Sequence, residues 1–278
     1  MQTWNKEKIE QGKKNLEGAE LKGLDLSGTN LKYANLISAN LVSANLSGSD
    51  LSGANISGAK GMRADLSNAN LSGANLLKSN FSGANFQESN LNGVDLMGAN
   101  LSETVLIKAD LIRAKLVETN LLHADLTGAD LGEAQLTGRY QREGYFSRGA
   151  NLNNAKLVGV KCRKTDMSGT ELADTDCTDA DFMDAKLSEA SFKRACLRSA
   201  CFVNAKLGDV DFRGADLTNC DFSGAELIET KLQGVDLRTV KNLSSKGLEL
   251  SLIDSNTQVP DYIIVKWTSE DTYECRLK

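Results

Sequence analysis

Histidine occurs once in the 278 residues, at position 123, and none of the six cysteines belongs to a Cys-x-x-Cys pair. A zinc site or a histidine-driven acid–base pair therefore has too few candidate groups, and the thiols are expected to be free rather than bridged. No run of about 18 apolar residues occurs, so no membrane-spanning helix is expected. The opening residues Met1 to Ile9 lack the apolar core of a signal peptide, which leads to the expectation of a cytoplasmic protein without membrane contact. The net charge of −5 holds no basic excess, which argues against direct contact with nucleic acid. Gly-x-x-x-x-Gly spacings are present, but no Lys-Ser/Thr follows them to make a phosphate loop. With no nucleophile and base, metal set or phosphate loop, neither catalysis nor a cofactor is expected.

What the chain does have is one five-residue phrase, clearest in residues 34 to 56, where Ala-Asn-Leu-x-x recurs without interruption. With the central Leu as position i, centres fall every five residues from Leu16 to Leu136, 25 of them, and from Leu152 to Leu237, another 18. Only Gly61 among them is not apolar. Position i−2 is Ala, Ser, Thr, Val or Cys everywhere except at Lys14 and Leu24. A period of five suits neither a helix face, which returns every 3.6 residues, nor a strand face, which returns every two. It suits a larger coil in which each phrase forms one side of a square and turns at its last two residues. Four phrases then close a coil of 20 residues, with i and i−2 filling a narrow interior and i−1, i+1 and i+2 facing water. Each coil buries the open end of the last.

The phrase resembles the A-(N/D)-L-x-x signature of the pentapeptide-repeat proteins. The resemblance implies their all-β fold, a right-handed quadrilateral parallel β-helix; the period alone gives neither handedness nor family. About 11 coils at roughly 4.8 Å would make a rod about 50 Å long. The reading is one elongated domain: an N-terminal cap over residues 1–13, repeats over 14–242 with a loop at 137–149, and a C-terminal cap or tail over 243–278. In the first cap a short helix is expected, with Thr3 as N-cap, Gly12 as stop, and Trp4 and Ile9 covering the first coil.

Three interior features stand out. Gly61 leaves a void that Phe81, one coil on, is placed to fill. Phe182, Phe202 and Phe222 fall on one side of the second run and Phe192 and Phe212 on the opposite side, as two aromatic columns. Between Leu136 and Leu152 the phrase fails. Residues 137–143 are expected to leave the coil, to rejoin near Phe146, and to lose one extra residue as a bulge near Gly149. In the tail, Asp254, Thr257 and Pro260 resemble the segment that closes such repeats. The apolar run Tyr262–Trp267 reads as a strand that seals the end or pairs with a second copy, making a homodimer possible.

Two functions fit a repeat rod. The first is a non-catalytic scaffold that presents its surface and loop to an unidentified protein partner. The candidate contacts are Arg139, Tyr140, Arg142, Tyr145 and Arg148 on the loop, since Arg and Tyr are enriched at binding hot spots, and the edge row Glu189, Asp209 and Glu229. The alternative comes from the resemblance: some members mimic duplex DNA, bind a type II topoisomerase (DNA gyrase or topoisomerase IV), and protect against quinolones. Residues 165–189 hold eight acids against one base. Yet at a spacing of 20, Lys156 meets Asp176, Lys161 meets Asp181, Lys164 meets Asp184, Asp166 meets Lys186, Asp174 meets Arg194, Lys206 meets Glu226 and Asp211 meets Lys231. Such pairing is the ordinary surface of a sheet.

Overall fold

The computed structural model describes residues 5–137, 149–269 and 272–278. Parallel bridges join Glu20 to Asn40, Asp25 to Asn45, Asn30 to Asp50 and Asn35 to Asn55, and the same four rows continue along the chain. Four sides and a 20-residue coil are thus both present. Each side is held by two bonds of a parallel ladder. The amide of Leu21 donates upward to the carbonyl of Asn40 at 2.8 Å, and the amide of Asn40 donates back to Ala19 at 2.9 Å.

The chemistry of the phrase follows from its corners. Residue i+2 takes a left-handed backbone, as at Gly48 (φ 63°) and Ser43 (φ 55°), and the amide of Ala44 closes the turn on the carbonyl of Leu41 at 3.0 Å. Asn or Asp at i−1 accepts the amide two residues on: Ser47 donates to Oδ1 of Asn45 at 3.0 Å. This is the short-range bond for which Asx residues are favoured in turns. The apolar centres are all buried, with at most 3% exposure, and most i−2 residues lie beside them.

Both interior exceptions behave as expected. A Cβ on Gly61 would lie 2.0 Å from Cε1 of Phe81, so the ring occupies the missing side chain's place. Phe182 stacks on Phe202 at 5.2 Å between ring centres, Phe202 is tilted against Phe222 at 5.1 Å, and Phe192 stacks on Phe212 at 5.4 Å. Edge contacts such as Phe202–Phe212 at 5.6 Å join the two columns.

The break at residue 137 differs from the expectation. Asn120 bridges Asn151 and Gln135 bridges Asp166, 31 positions apart instead of 20, so eleven residues are added to a single coil. The amide of Ala150 donates to the carbonyl of Leu136 at 2.8 Å, the same turn bond that Ala134 makes to Leu131. Read across the gap, Leu136-Thr137-Gly149-Ala150-Asn151-Leu152 is an intact phrase. The insertion therefore enters one corner. The spacing of 16 is one phrase plus eleven, not three phrases and a bulge. Phe146, where the chain is expected to rejoin, lies outside the described residues.

At both ends side chains bond to backbone of the neighbouring coil. Helix α1 (Lys6–Gln11) stops at Gly12, and its N-cap is Asn5, whose side chain accepts from the amide of Lys8, rather than Thr3. Asn5 stands directly before the first helical residue with an extended backbone, as a cap requires. Ile9 is fully buried under the first coil; Trp4 lies outside the described residues. Glu10 accepts the amide of Asn30 at 2.7 Å, and Lys6 donates to the carbonyl of Ser27 at 2.8 Å.

At the other end the coil outlasts the phrase. Leu232 donates to Leu252 at 2.8 Å and Leu237 to Gln258 at 2.7 Å, with helix α2 (Ser245–Glu249) inserted in the last turn. Asp254 accepts the amide of Gly234 at 2.8 Å. Strand β1 (Ile263–Trp267) pairs antiparallel with β2 (Tyr273–Leu277) of the same chain. Ile263 is buried, and Val265 and Cys275 pack against the core. No helix among the described residues is long and apolar enough to cross a membrane.

Candidate protein-binding surface

Among the described residues nearly all i+2 positions stand at a left-handed corner, and those that are not glycine are set at the outside of the coil. Glu189, Asp209 and Glu229 occupy one such corner in three successive coils, with φ of 62°, 59° and 55°. All three are exposed. The ladder sets them above one another: Glu189 donates to the carbonyl of Gly208 at 2.8 Å, Asp209 to Ile228 at 2.9 Å and Glu229 to Leu250 at 2.8 Å. The carboxylates thus climb the rod at the coil spacing of roughly 4.8 Å. Among the described residues none of them has a side-chain hydrogen bond or ion pair.

Part of the surrounding charge is paired, but the expected pairs Lys164–Asp184 and Lys206–Glu226 do not form, and Lys164, Lys206, Glu226 and Lys231 make no ion pair among the described residues. Asp174 holds Arg194 and Asp166 holds Lys186 at 3.7 Å, as the 20-residue spacing predicts. Other expected pairs are stacked in the bridges but bond elsewhere. Lys156 reaches Asp125 (3.7 Å) rather than Asp176, and Lys161 reaches Asp130 (3.8 Å) rather than Asp181. Asp181 takes Arg163 at 2.5 Å. Each residue has a neighbour above and below, and a long side chain at i+1 can reach the acid of the next coil slantwise. Asp211 lies between Arg213 (2.7 Å) and Lys193 (3.3 Å) instead of joining Lys231. Its side chain is 9% exposed. Burial alone would raise its pKa, yet hydrogen bonds from Arg213 and Lys193 bring it down to about 2.

Arg139, Tyr140, Arg142, Tyr145 and Arg148 lie outside the described residues, so of the candidate contacts the structure brings together only the acidic row. His123 is exposed at a corner. The six thiols are free, and burial pushes Cys177 up to about 12 and raises Cys162 and Cys220 as well, which favours the protonated form at those three. Among the described residues no cluster of His, Cys, Asp or Glu is arranged to hold a metal.

One feature of the surface is not foreseen by the repeat wording: Ile228, Leu250 and Leu252, exposed at 53%, 47% and 41%, border the top of the acidic row. The signal was available at Ile228, since the i+1 residues below it in the same column are Ser188 and Gly208. Leu250 and Leu252 lie past the last regular phrase, where the period no longer tells outward from inward.

A family model described as "Pentapeptide repeats" matches the chain in eight copies, over residues 15–60, 64–138 and 148–241. No curated protein matches it. Among solved structures, the chain is similar to HetL, a pentapeptide repeat protein involved in heterocyst differentiation regulation from the cyanobacterium Nostoc sp. strain PCC 7120. The identity is 29% over 81% of this chain and 93% of that one, with a TM-score of 0.43. It is similar to a trypsin-treated variant of QnrB1, a plasmid-mediated fluoroquinolone resistance protein, at 15% identity over 69% and 90% of the two chains (TM-score 0.40). A pentapeptide repeat protein from the Arabidopsis thaliana thylakoid lumen is 27% identical over 50% of this chain and 68% of its own (TM-score 0.21).

Proposed function

The chain belongs to the pentapeptide-repeat family, and from that premise we propose that it is a non-catalytic scaffold that binds another protein along the corner marked by Glu189, Asp209 and Glu229. The observation that carries this reading is the succession: other corner acids without a partner, such as Glu103 and Asp179, stand singly, with Gly83 and His123 or Gly159 and Ser199 next along their corners, whereas Glu189, Asp209 and Glu229 follow one another. Asp174, Asp181, Asp211 and Asp216 are held by arginines of their own surface, whereas the three corner carboxylates are exposed and engage nothing among the described residues. Three like charges at coil spacing repel one another weakly in water and lose that repulsion against a cationic partner. The rod supplies rigidity, so little order has to be gained on binding.

Mimicry of duplex DNA toward a type II topoisomerase is the alternative. It calls for long rows of one sign, and the cross-coil ion pairs interrupt such rows. The full chain and a Glu189→Lys/Asp209→Lys/Glu229→Lys variant, used as bait in an extract of the native cell, test the proposal. The variant is expected to melt like the parent and to lose the protein that the parent captures. Unchanged capture would remove the row from the function. Protection of purified gyrase from a quinolone in a supercoiling assay would replace the scaffold reading with the mimicry one.

A further inference from the structure

Six of the seven large apolar side chains that are exposed among the described residues lie between Ile228 and Leu277. Three of them form one patch. Leu250 sits directly above Ile228 on one side of the corner, because the amides of Asp209 and Glu229 donate to the carbonyls of Ile228 and Leu250 in succession. Leu252 lies on the adjoining side, its amide on the carbonyl of Thr230 at 2.8 Å. Glu229 stands on the corner between them, with Asp209 and Glu189 below. Elsewhere the outward positions of this column are small, Ser188 and Gly208. Exposed aliphatic side chains gathered in one place and rimmed by polar residues are characteristic of contact surfaces.

We infer that the aliphatic patch of Ile228, Leu250 and Leu252 docks a cationic helix of another protein, one face of which carries apolar residues over the patch and, on the turns beyond, basic residues over Glu229, Asp209 and Glu189. The inference rests on the scaffold reading and adds the chemistry of the partner. Charge selects the occupant. Glu226 and Glu249 also adjoin Ile228 and Leu250 in sequence, against Lys231 beside Leu252, Lys206 stacked below Glu226 and Lys246 in α2, so the three corner carboxylates tip the balance to negative. A second copy would bring the same carboxylates against these, and an anionic lipid surface would be repelled. Spacing selects the form. A helix laid along the corner offers one basic side chain per turn at a pitch of about 5.4 Å, against a carboxylate spacing of about 4.8 Å, so three successive turns stay in register to within about one ångström. The patch is also held rigid. The hydroxyl of Tyr273 bonds to the carbonyl of Leu248 at 3.0 Å and to that of Ser251, and Trp267 packs on the ring of Tyr273 at 5.1 Å. The turn carrying Leu250 and Leu252 is therefore fixed before any partner arrives.

The probe is a labelled synthetic helical peptide with lysine on one face through three turns and leucine on the same face in the next, titrated with the full chain and followed by fluorescence anisotropy at physiological salt. A peptide with serine in place of every leucine is the control. The leucine peptide is expected to bind at least about tenfold more tightly than the control. Ile228→Ser/Leu250→Ser/Leu252→Ser should remove about that factor, and Glu189→Gln/Asp209→Gln/Glu229→Gln should weaken binding and flatten its salt dependence. All six positions are outward, and circular dichroism checks that both variants keep the fold. Equal affinity for the two peptides, or full affinity in the aliphatic variant, would reduce the effect to charge adsorption and overturn the inference. Sedimentation showing a dimer that the aliphatic variant dissociates would overturn it too, since the occupant would be a second copy. Loss of peptide binding specificity with partner capture intact in the cell extract defeats this inference and spares the scaffold reading; loss of the row's role in capture defeats the scaffold reading itself.

Discussion

At Gly61 a single missing side chain decides the packing of two coils. The residue is not in the left-handed region, so its backbone would accept any side chain, and only the ring of Phe81 forbids one. An alanine there would put Cβ 2.0 Å from Cε1 of that rigid ring, and a ring in a closed core has no room to retreat. Gly61→Leu is expected to destabilise by roughly 1–3 kcal/mol or more through overpacking. Phe81→Ala should cost roughly 3–5 kcal/mol, more than Leu101→Ala, because its void joins the space that Gly61 already leaves. The decisive measurement is a double-mutant cycle in urea: Gly61→Leu with Phe81→Leu rebuilds an ordinary pair and should recover most of the loss. Additive losses would mean that the two sites share no space. This pair was legible in the sequence, since a period of 20 puts residues 61 and 81 on one side and volume does the rest.

For the elements, legibility followed the phrase and stopped where it stopped. The 43 centres, the two phenylalanine columns and the corner positions were all readable, because one repeat unit fixes inside and outside at each step. Less readable was the partner of each surface charge, as a lysine at i−1 can reach either of two coils and an arginine at i+1 reaches slantwise. The tail was readable only as a strand. Its coil continues to Gln258 through spacings of 21 and 22, from Lys231 to Leu252 and Asp236 to Gln258, which no five-residue count detects. The insertion was misjudged because Gly149 and Ala150 complete the phrase begun at Leu136, and only the bond from Ala150 to Leu136 shows the two ends to be adjacent. That adjacency predicts that deleting residues 138–148, which joins Thr137 to Gly149, leaves an unbroken repeat. The variant should fold with a melting temperature equal to or slightly above that of the parent, since closing a loop carries an entropic cost that its removal relieves. A loss of more than a few degrees would show that the deleted residues support the coil.

Over the whole rod, stability is a sum of neighbouring coils, so a perturbation confined to some coils should act there first. The two runs differ in what binds their coils together. In the first, asparagine side chains link the rows, to another amide where Asn120 donates to Asn100 at 3.2 Å and to carboxylates where Asn45, Asn70 and Asn85 donate to Asp25, Asp50 and Asp65, and none of these donors is a charged group. In the second and its cap, Asp174, Asp211, Asp216, Asp221, Asp236 and Asp254 all have lowered pKa values, against Asp25, Asp50 and Glu133 in the first. Hydrogen bonds do the lowering, from Arg194 on Asp174 and from Arg213 and Lys193 on Asp211. A carboxylate whose folded pKa lies below its unfolded value near 3.8 adds stability above that value and loses it as pH falls through the folded pKa, about 2 for Asp211. Acid between about pH 4 and pH 2 should therefore loosen the second run before the first. Hydrogen exchange read by mass spectrometry, with peptides from residues 30–120 and 170–240 compared at each pH against their own intrinsic rates, would reveal the order. Protection should fall first in the later segment, and Asp211→Asn should narrow the difference by removing one titrating group. Equal loss in both segments, or earlier loss in the first, would mean that the coils unfold as one unit and that the ion pairs of the second run contribute nothing local.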